Sequence, residues 1–405
     1  MKIAISINTT WNVVNFRLGL IKALQKDRHE IIAISPSDEY VQKLNSVGVK
    51  HYNIIMDPQG TNPLEDFKII KAYKKLFREI KPDIILSYTI KPNIYGNLAA
   101  GKLGIPVINN VSGLGTLFIK KSISSYVGKM LYYFSFKKST WVFFQNQTDK
   151  NLFLKTRLVE KNKVSVLPGS GVNTSLFKTN RTSNKSKQFL FVGRLIGDKG
   201  INEYIKAADI LSRKYSDIVF NIVGELGYVN KTAITEDILN GWLENKQIKF
   251  LGKQDDMVKI FSEADIMVLP SYREGLSKSL IEAASMSLPI VTTNVPGCRE
   301  VVEHGKNGFL CKEKDPIDLQ DKMEAMIKLS EKERVLMGEN GRKLVESTFE
   351  EKIVIDLYKN KIKDLLGYKT SSKQAMHSVA EGFHSASVRS KAGRRRRFID
   401  PPVSA

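Results

Sequence analysis

Short runs of aliphatic and β-branched residues recur along the chain, and between most of them apolar positions return every three or four residues. Such runs suit buried strands, and the longer period suits a helix with one face turned inward. The first half is expected to hold strands at Lys2–Ile7, Glu30–Ile34, Lys50–Ile55, Ile84–Ser87, Val107–Asn110, Thr140–Gln145 and Val164–Leu167. Helices are expected at Asn15–Gln25, Glu65–Ile80, Ile94–Lys102 and Ile123–Lys137. From Gln188–Val192 the scheme begins again. Strands at Val219–Val223, Ile248–Phe250, Ile266–Leu269, Ile290–Thr293 and Gly308–Leu310 alternate with helices at Ile201–Lys214, Met257–Glu263, Lys278–Met286 and Pro316–Leu329. Alternation of this kind means βαβ units and a parallel sheet covered on both faces. The chain reads as α/β, with two doubly wound parallel-sheet domains and ligands expected at the carboxyl ends of the strands.

The joint between the domains shows in the polarity. Residues 1–172 form the first domain, and a Ser-, Thr-, Asn- and Lys-rich linker without a periodic apolar face occupies 173–187. Residues 188–345 form the second domain. A final helical pattern, Glu331–Leu366, is expected to bring 346–367 back toward the first. Over 368–405 the composition shifts to Ser, Ala, Gly and the Arg394–Arg397 run, which reads as a disordered tail or an expression remnant.

Composition narrows the classes. Hydrophobic residues at 42% and charged residues at 26% are globular values for this 405-residue chain, which sets aside collagen and coiled coil. Two cysteines, Cys298 and Cys311, cannot build a disulfide framework. No apolar run approaches the roughly 20 residues of a membrane span. Met1–Ala4 enters a strand directly, without a cleavage pattern, so a cytoplasmic protein is expected.

The net charge of +21 is divided unevenly. Residues 1–180 carry 26 Lys+Arg against 11 Asp+Glu, a net +15, whereas 181–369 carry 30 against 29 and 370–405 carry 7 against 2. A field concentrated on one domain attracts nucleic acid, an anionic membrane face or a phosphorylated ligand.

Three segments carry candidate chemistry. Ser271–Leu288 (SYREGLSKSLIEAASMSL) leaves a buried strand and runs through Gly275 into a helix, a geometry whose free N–H groups suit a phosphate or a sugar hydroxyl. Glu274 stands in the loop and Glu282 two turns into the helix; the segment reads equally as an ordinary helix cap. Phe191–Gly200 (FVGRLIGDKG) sets Arg194 and Lys199 before another helix, where a fork and a point charge fit a diphosphate, or are exposed loop charges. Ile222–Gly227 (IVGELG) again ends a strand in Gly. Asp255–Asp256 lies at a helix start and reads as a cap, so no metal motif follows a strand.

Together these pieces resemble the family 4 glycosyltransferases, most specifically at Gly193-Arg194-x4-Lys199-Gly200, Val223-Gly224-Glu225 and Leu269–Ala283. Within the family the resemblance is to bacterial N-acetylgalactosaminyltransferases that extend undecaprenyl-diphosphate-linked glycans. It implies a GT-B fold, two Rossmann-like domains facing a cleft. It implies retaining, metal-independent transfer of a hexose or N-acetylhexosamine (best GalNAc) from a UDP-sugar, with no cofactor. Arg194 and Lys199 would hold the donor diphosphate and Glu282 the ribose. Glu274 and the Gly275–Leu276–Ser277 backbone would meet the sugar, and Gly193 and Val223–Glu225 would complete the donor site. Leu276–Ser277 stand where many members have Pro or Phe.

A lipid-linked saccharide acceptor is expected at the basic first domain, near Asn15, Arg17, Ser112 and Gly113, with Arg17 nearest its phosphates. After Ser112–Gly115 (SGLG), Phe118, Ile119, Tyr126, Leu131, Tyr132, Tyr133, Phe134 and Phe136 interleave with Lys120, Lys121, Lys129, Lys137 and Lys138. That pattern is a core helix with solvated lysines or an amphipathic helix lying on an anionic membrane. The second is expected, on the inner face of the cytoplasmic membrane. The competing class is a nucleic-acid binder using domain 1 and the Arg tail, which lacks a recognition module.

Overall fold

The computed structural model describes residues 1–56, 63–114, 123–178 and 187–367 of the chain. Met1–Leu357 form one compact unit that contains two parallel sheets. The first is built from β1 (Lys2–Ser6), β2 (Glu30–Ser35), β3 (Lys50–Asn53), β4 (Ile84–Tyr88), β5 (Val107–Val111), β6 (Trp141–Phe144) and β7 (Val164–Val166), in the order β3-β2-β1-β4-β5-β6-β7. The second uses β8 (Lys187–Val192), β9 (Ile218–Val223), β10 (Ile248–Gly252), β11 (Ile266–Leu269), β12 (Ile290–Thr293) and β13 (Gly308–Cys311), in the order β10-β9-β8-β11-β12-β13. Strand order reverses beside β1/β4 in one and β8/β11 in the other, the two places where a doubly wound sheet opens a crevice.

The strands hold because helices cover both faces. Every residue of β4, β5, β11 and β12 is buried, which is why none of them alternates apolar with polar residues and their few polar positions, such as Asn109 and Asn110, are buried too. In the second domain Phe189, Phe191, Phe220 and Tyr204 form the aromatic centre of the core, with Phe189 stacked on Phe220 at 5.5 Å.

Two of the expected helices differ from the structure by more than two residues, and helices also form at Val41–Asn45, Gln147–Lys155 and Glu236–Leu243, where none is expected. The first helix runs Thr10–Lys26 and starts five residues early, because the Thr9 hydroxyl accepts from the Asn12 N–H at 3.1 Å and caps it. The long final pattern is two helices. Glu331–Thr348 ends at buried Phe349, and the chain resumes as helix over 351–367. The break arises because Phe349 and Glu351 turn their backbone to Val172: the Val172 N–H donates to Phe349 O and the Glu351 N–H to Val172 O, both at 2.9 Å. Val172 and the stretch Phe349–Glu351 are thereby stitched together. Asp256 is the helix cap expected, its Oδ1 accepting from the Lys259 N–H at 3.1 Å.

Candidate functional site

Lys199 and Glu274 meet at the β8/β11 switch point. Lys199 closes the turn after β8, and Gly200, with φ +75°, starts the helix Ile201–Ser212; a Cβ there would collide with the Pro270 carbonyl. This close approach brings the Lys199 ammonium onto Glu274 Oε1, which also accepts from the Ser271 hydroxyl at 2.8 Å. Both charged side chains are mostly buried. Arg194 is exposed, its guanidinium 5.8 Å from the Tyr228 ring centroid. Gly193 and Gly224 touch back to back, and a Cβ on Gly224 would strike the Gly193 carbonyl. Buried Val223 ends β9, and Glu225 is exposed, 3.7 Å from Lys253 Nζ.

The loop between β11 and the helix Lys278–Ser285 is held by three backbone hydrogen bonds from two neighbouring segments. Its Tyr272 N–H donates to Asp198 O at 2.9 Å, Glu274 N–H to Pro296 O at 3.0 Å, and Ser277 N–H to Gly297 O at 2.9 Å. Gly297 lies at φ +84°, and a Cβ on it would collide with Glu274 backbone. The helix Lys278–Ser285 starts directly after this loop, and its first N–H groups, which lack intrahelical partners, form a positive end suited to anionic oxygen. Glu282 sits 8% exposed on this helix, 3.6 Å from Lys278 Nζ. Burial holds its carboxyl above the ordinary value, and the Lys278 charge opposes that only in part.

The first domain grips the same loop through residues that sequence reasoning missed. Asn146 caps the helix Gln147–Lys155, its Oδ1 accepting from the Asp149 N–H at 2.8 Å, while its Nδ2 donates to Gly275 O at 2.8 Å. Asp149, 0% exposed, pairs with Arg273; burial raises the Asp149 carboxyl and the guanidinium pulls it back. Arg299 donates to Thr148 Oγ1 at 2.9 Å. The visible signal was Asn146-x-x-Asp149 after a buried strand, a helix start whose cap carries a free amide. Lys278 was also overlooked: it donates to the Asn15 carbonyl and lies 4.7 Å over the Phe16 ring.

The four residues expected at the acceptor make different contacts. Ser112 and Gly113 lie against the donor-side loop, where a Cβ on Gly275 would strike Ser112 O. The Asn15 carbonyl serves Lys278, and its side chain donates to Trp11 O at 2.9 Å. Arg17 is buried and stacks on Tyr88 with its Cζ 4.1 Å from the ring centroid. The helix Ile123–Phe136 buries Tyr132 and Phe136 but leaves Tyr126 74% and Phe134 54% exposed beside Val127 and Met130. Phe118–Lys121 and the 368–405 tail lie outside the described residues. No described helix is long and apolar enough to cross a membrane.

Two doubly wound sheets whose glycine-rich, charged loops meet across a crevice define the GT-B class of glycosyltransferases. The chain belongs to family 4 of that class. Residues 172–344 match the model of the group 1 glycosyl transferases, and residues 2–146 match the 4-like glycosyl transferase model. It is 29% identical to the N,N'-diacetylbacillosaminyl-diphospho-undecaprenol alpha-1,3-N-acetylgalactosaminyltransferase of Campylobacter jejuni, over 84% of this chain and 93% of that protein. It is 28% identical to the UDP-Gal:alpha-D-GlcNAc-diphosphoundecaprenol alpha-1,3-galactosyltransferase of Escherichia coli, over 75% and 79%. HepE of Anabaena, solved with UDP and glucose, has the same fold, with a TM-score of 0.73 at 17% identity over 90% of this chain and all of that one.

Proposed function

We propose that the enzyme moves a hexose or N-acetylhexosamine, with N-acetylgalactosamine the first choice, from a UDP-sugar to a polyprenyl-diphosphate-linked glycan. The reaction retains the anomeric configuration, needs no divalent metal and serves surface-polysaccharide or glycoprotein-glycan assembly. The observation that carries this reading is the buried Lys199–Glu274–Ser271 cluster at a sheet switch point, next to a helix N-terminus. The relatives' names, both transferases to diphospho-undecaprenol sugars, supply the acceptor class.

In this mechanism the bond between the anomeric carbon and the β-phosphate oxygen breaks. The acceptor hydroxyl attacks from the face the diphosphate leaves, and its proton passes to a β-phosphate oxygen. UDP and the glycoside are the products. Arg194 and Lys199 stabilise the growing diphosphate charge, a task suited to fixed cations in a partly dry site. Glu274 orients Lys199 and, with Gly275, Leu276 and Ser277, borders the sugar. Gly193, Val223, Gly224 and Glu225 line the donor crevice and Glu282 receives the ribose. Asn15, Ser112 and Gly113 border the acceptor.

The exposed Tyr126, Val127, Met130 and Phe134, flanked by Lys129 and Lys137, support docking on an anionic cytoplasmic membrane face. A panel of UDP-sugars assayed for UDP release, with and without a polyprenyl-diphosphate sugar, tests the whole reading. One donor is expected to give acceptor-dependent release; release from none of them contradicts it.

A further inference from the structure

Arg17 occupies an uncommon position for an arginine. It is 4% exposed, its Nε–H is buried without a hydrogen-bond partner, and among the described residues it forms no ion pair. Among the described residues the other buried cation, Lys91, is matched with Asp66 at 3.0 Å, and the partly buried Lys199 and Arg273 are matched with Glu274 and Asp149. A guanidinium cannot escape burial by losing its proton, so an unmatched one is costly to hold. The Tyr88 face offsets part of that cost but accepts nothing from Nε.

The setting is that of a ligand site. Tyr88 is the last residue of β4, at the β1/β4 switch point. Thr89 follows at φ +64°, a left-handed conformation that a β-branched residue adopts only under constraint. Strand register sets Tyr88 beside Asn110 of β5. Gln145 donates from Nε2 to Asn110 Oδ1 at 3.3 Å, and a Cβ on Gly275 would touch Gln145 Oε1. A buried polar row therefore runs along the strand ends from Arg17 to the loop that carries Glu274.

We propose that Arg17 anchors a second phosphate-binding site, in the first domain, that takes a diphosphate ester. Its assignment to the acceptor rests on the reaction proposed above. The anion supplies the counter-charge and accepts the orphaned Nε–H, and the polar row aligns the sugar end of the same molecule with the donor loop. The site is separate from Arg194 and Lys199, which face the nucleotide's diphosphate.

The test is binding of inorganic pyrophosphate to the full chain kept saturated with UDP, so that the donor site is filled. Arg17→Gln is expected to weaken pyrophosphate roughly 10- to 100-fold, the scale of a lost charge-assisted hydrogen bond, with UDP affinity unchanged. Arg17→Lys keeps the charge without the fork and should fall between, and it serves if the Gln variant fails to fold. In transfer assays the KM for a lipid-diphosphate sugar should rise by the same factor, while that for an alkyl glycoside of the same sugar stays fixed. Unchanged pyrophosphate binding in a folded variant overturns the site. A parallel loss of UDP affinity also overturns it, by assigning the anion to the donor. If pyrophosphate binding depends on Arg17 but the wild type transfers nothing to a lipid diphosphate, the site stands and the proposed reaction fails.

Discussion

At the β8/β11 switch point a cation is matched inside its own domain, Lys199 against Glu274, and the matching residues lie in two short loops. At β1/β4 the cation Arg17 has the aromatic face of Tyr88 and no carboxylate among the described residues, and the polar row that leads from Tyr88 to the donor-side loop draws on separate elements. The first arrangement is pre-organised without substrate; the second is completed by an anion. The difference follows the charge division, a net +1 over 181–369 against +15 over 1–180. A nearly neutral domain can balance its site from within, whereas a strongly basic one holds charge for a phosphorylated partner.

The largest effect should come from the matched side. Lys199→Ala is expected to lower kcat for UDP release by on the order of 10²–10³, because a fixed cation opposite developing diphosphate charge is lost. Arg194→Ala should act in the same direction. Wild-type turnover in either variant would break the assignment of this switch point to the donor.

The next effect concerns the grip between the domains. Asp149→Ala removes the partner of Arg273 and should cost up to roughly 3 kcal/mol of stability, less than a fully buried pair because Arg273 is partly exposed. It should also lower kcat about tenfold by freeing the loop that bears Glu274. In a double-mutant cycle, adding Arg273→Ala should cost little more; additive losses would mean that the pair does not act as a unit.

Glu282→Gln sharpens the comparison from the ribose side. Donor KM is expected to rise about tenfold, the scale of one charge-assisted hydrogen bond, with kcat nearly held. The raised carboxyl also predicts a pH effect. The unfolded chain titrates this group in the ordinary carboxylate range and the folded chain above it. Between those values the fold holds the extra proton, so its stability falls as pH rises through that window. Glu282→Gln should remove that part of the decline in thermal melts, leaving the parts due to Asp149 and Glu351, which shift the same way.

Smaller effects belong to the basic domain's outer face. Changing Tyr126, Met130 and Phe134 to Ser should weaken co-sedimentation with anionic vesicles several-fold while leaving kcat on a short-chain acceptor intact. High salt should weaken wild-type binding further if Lys129 and Lys137 contribute about 1 kcal/mol each. Removing 368–405 should leave turnover unchanged; loss of activity would favour the basic tail as a functional arm.

How much of this was legible in the sequence also divides by domain. The residues proposed for the donor, Arg194, Lys199, Glu274 and Glu282, sit in or just after contiguous loops that follow apolar strands, so the sequence alone could single them out. Strand β8 spans Lys187–Val192, within one residue of the expected Gln188–Val192, because of the apolar run Phe189–Val192. The first domain resisted. Arg17, Tyr88, Asn110 and Gln145 are distant along the chain and meet only because parallel register brings strand ends level. Asn146 and Asp149 looked like a helix start, and nothing local announced that Asn146 would reach Gly275, 129 residues away. The break at Phe349 was hidden because Glu331–Leu366 keeps helical periodicity on both sides of it, and only pairing with Val172 interrupts it.

The most direct test of the account is the anomeric configuration of the sugar transferred from an α-linked UDP-sugar to a lipid-diphosphate acceptor, read by NMR of the product formed in EDTA. The account predicts an α-glycoside at an undiminished rate, because Arg194, Lys199 and the helix N-terminus carry the leaving diphosphate without a metal. A β-glycoside, or no product until Mg²⁺ or Mn²⁺ is restored, would contradict it.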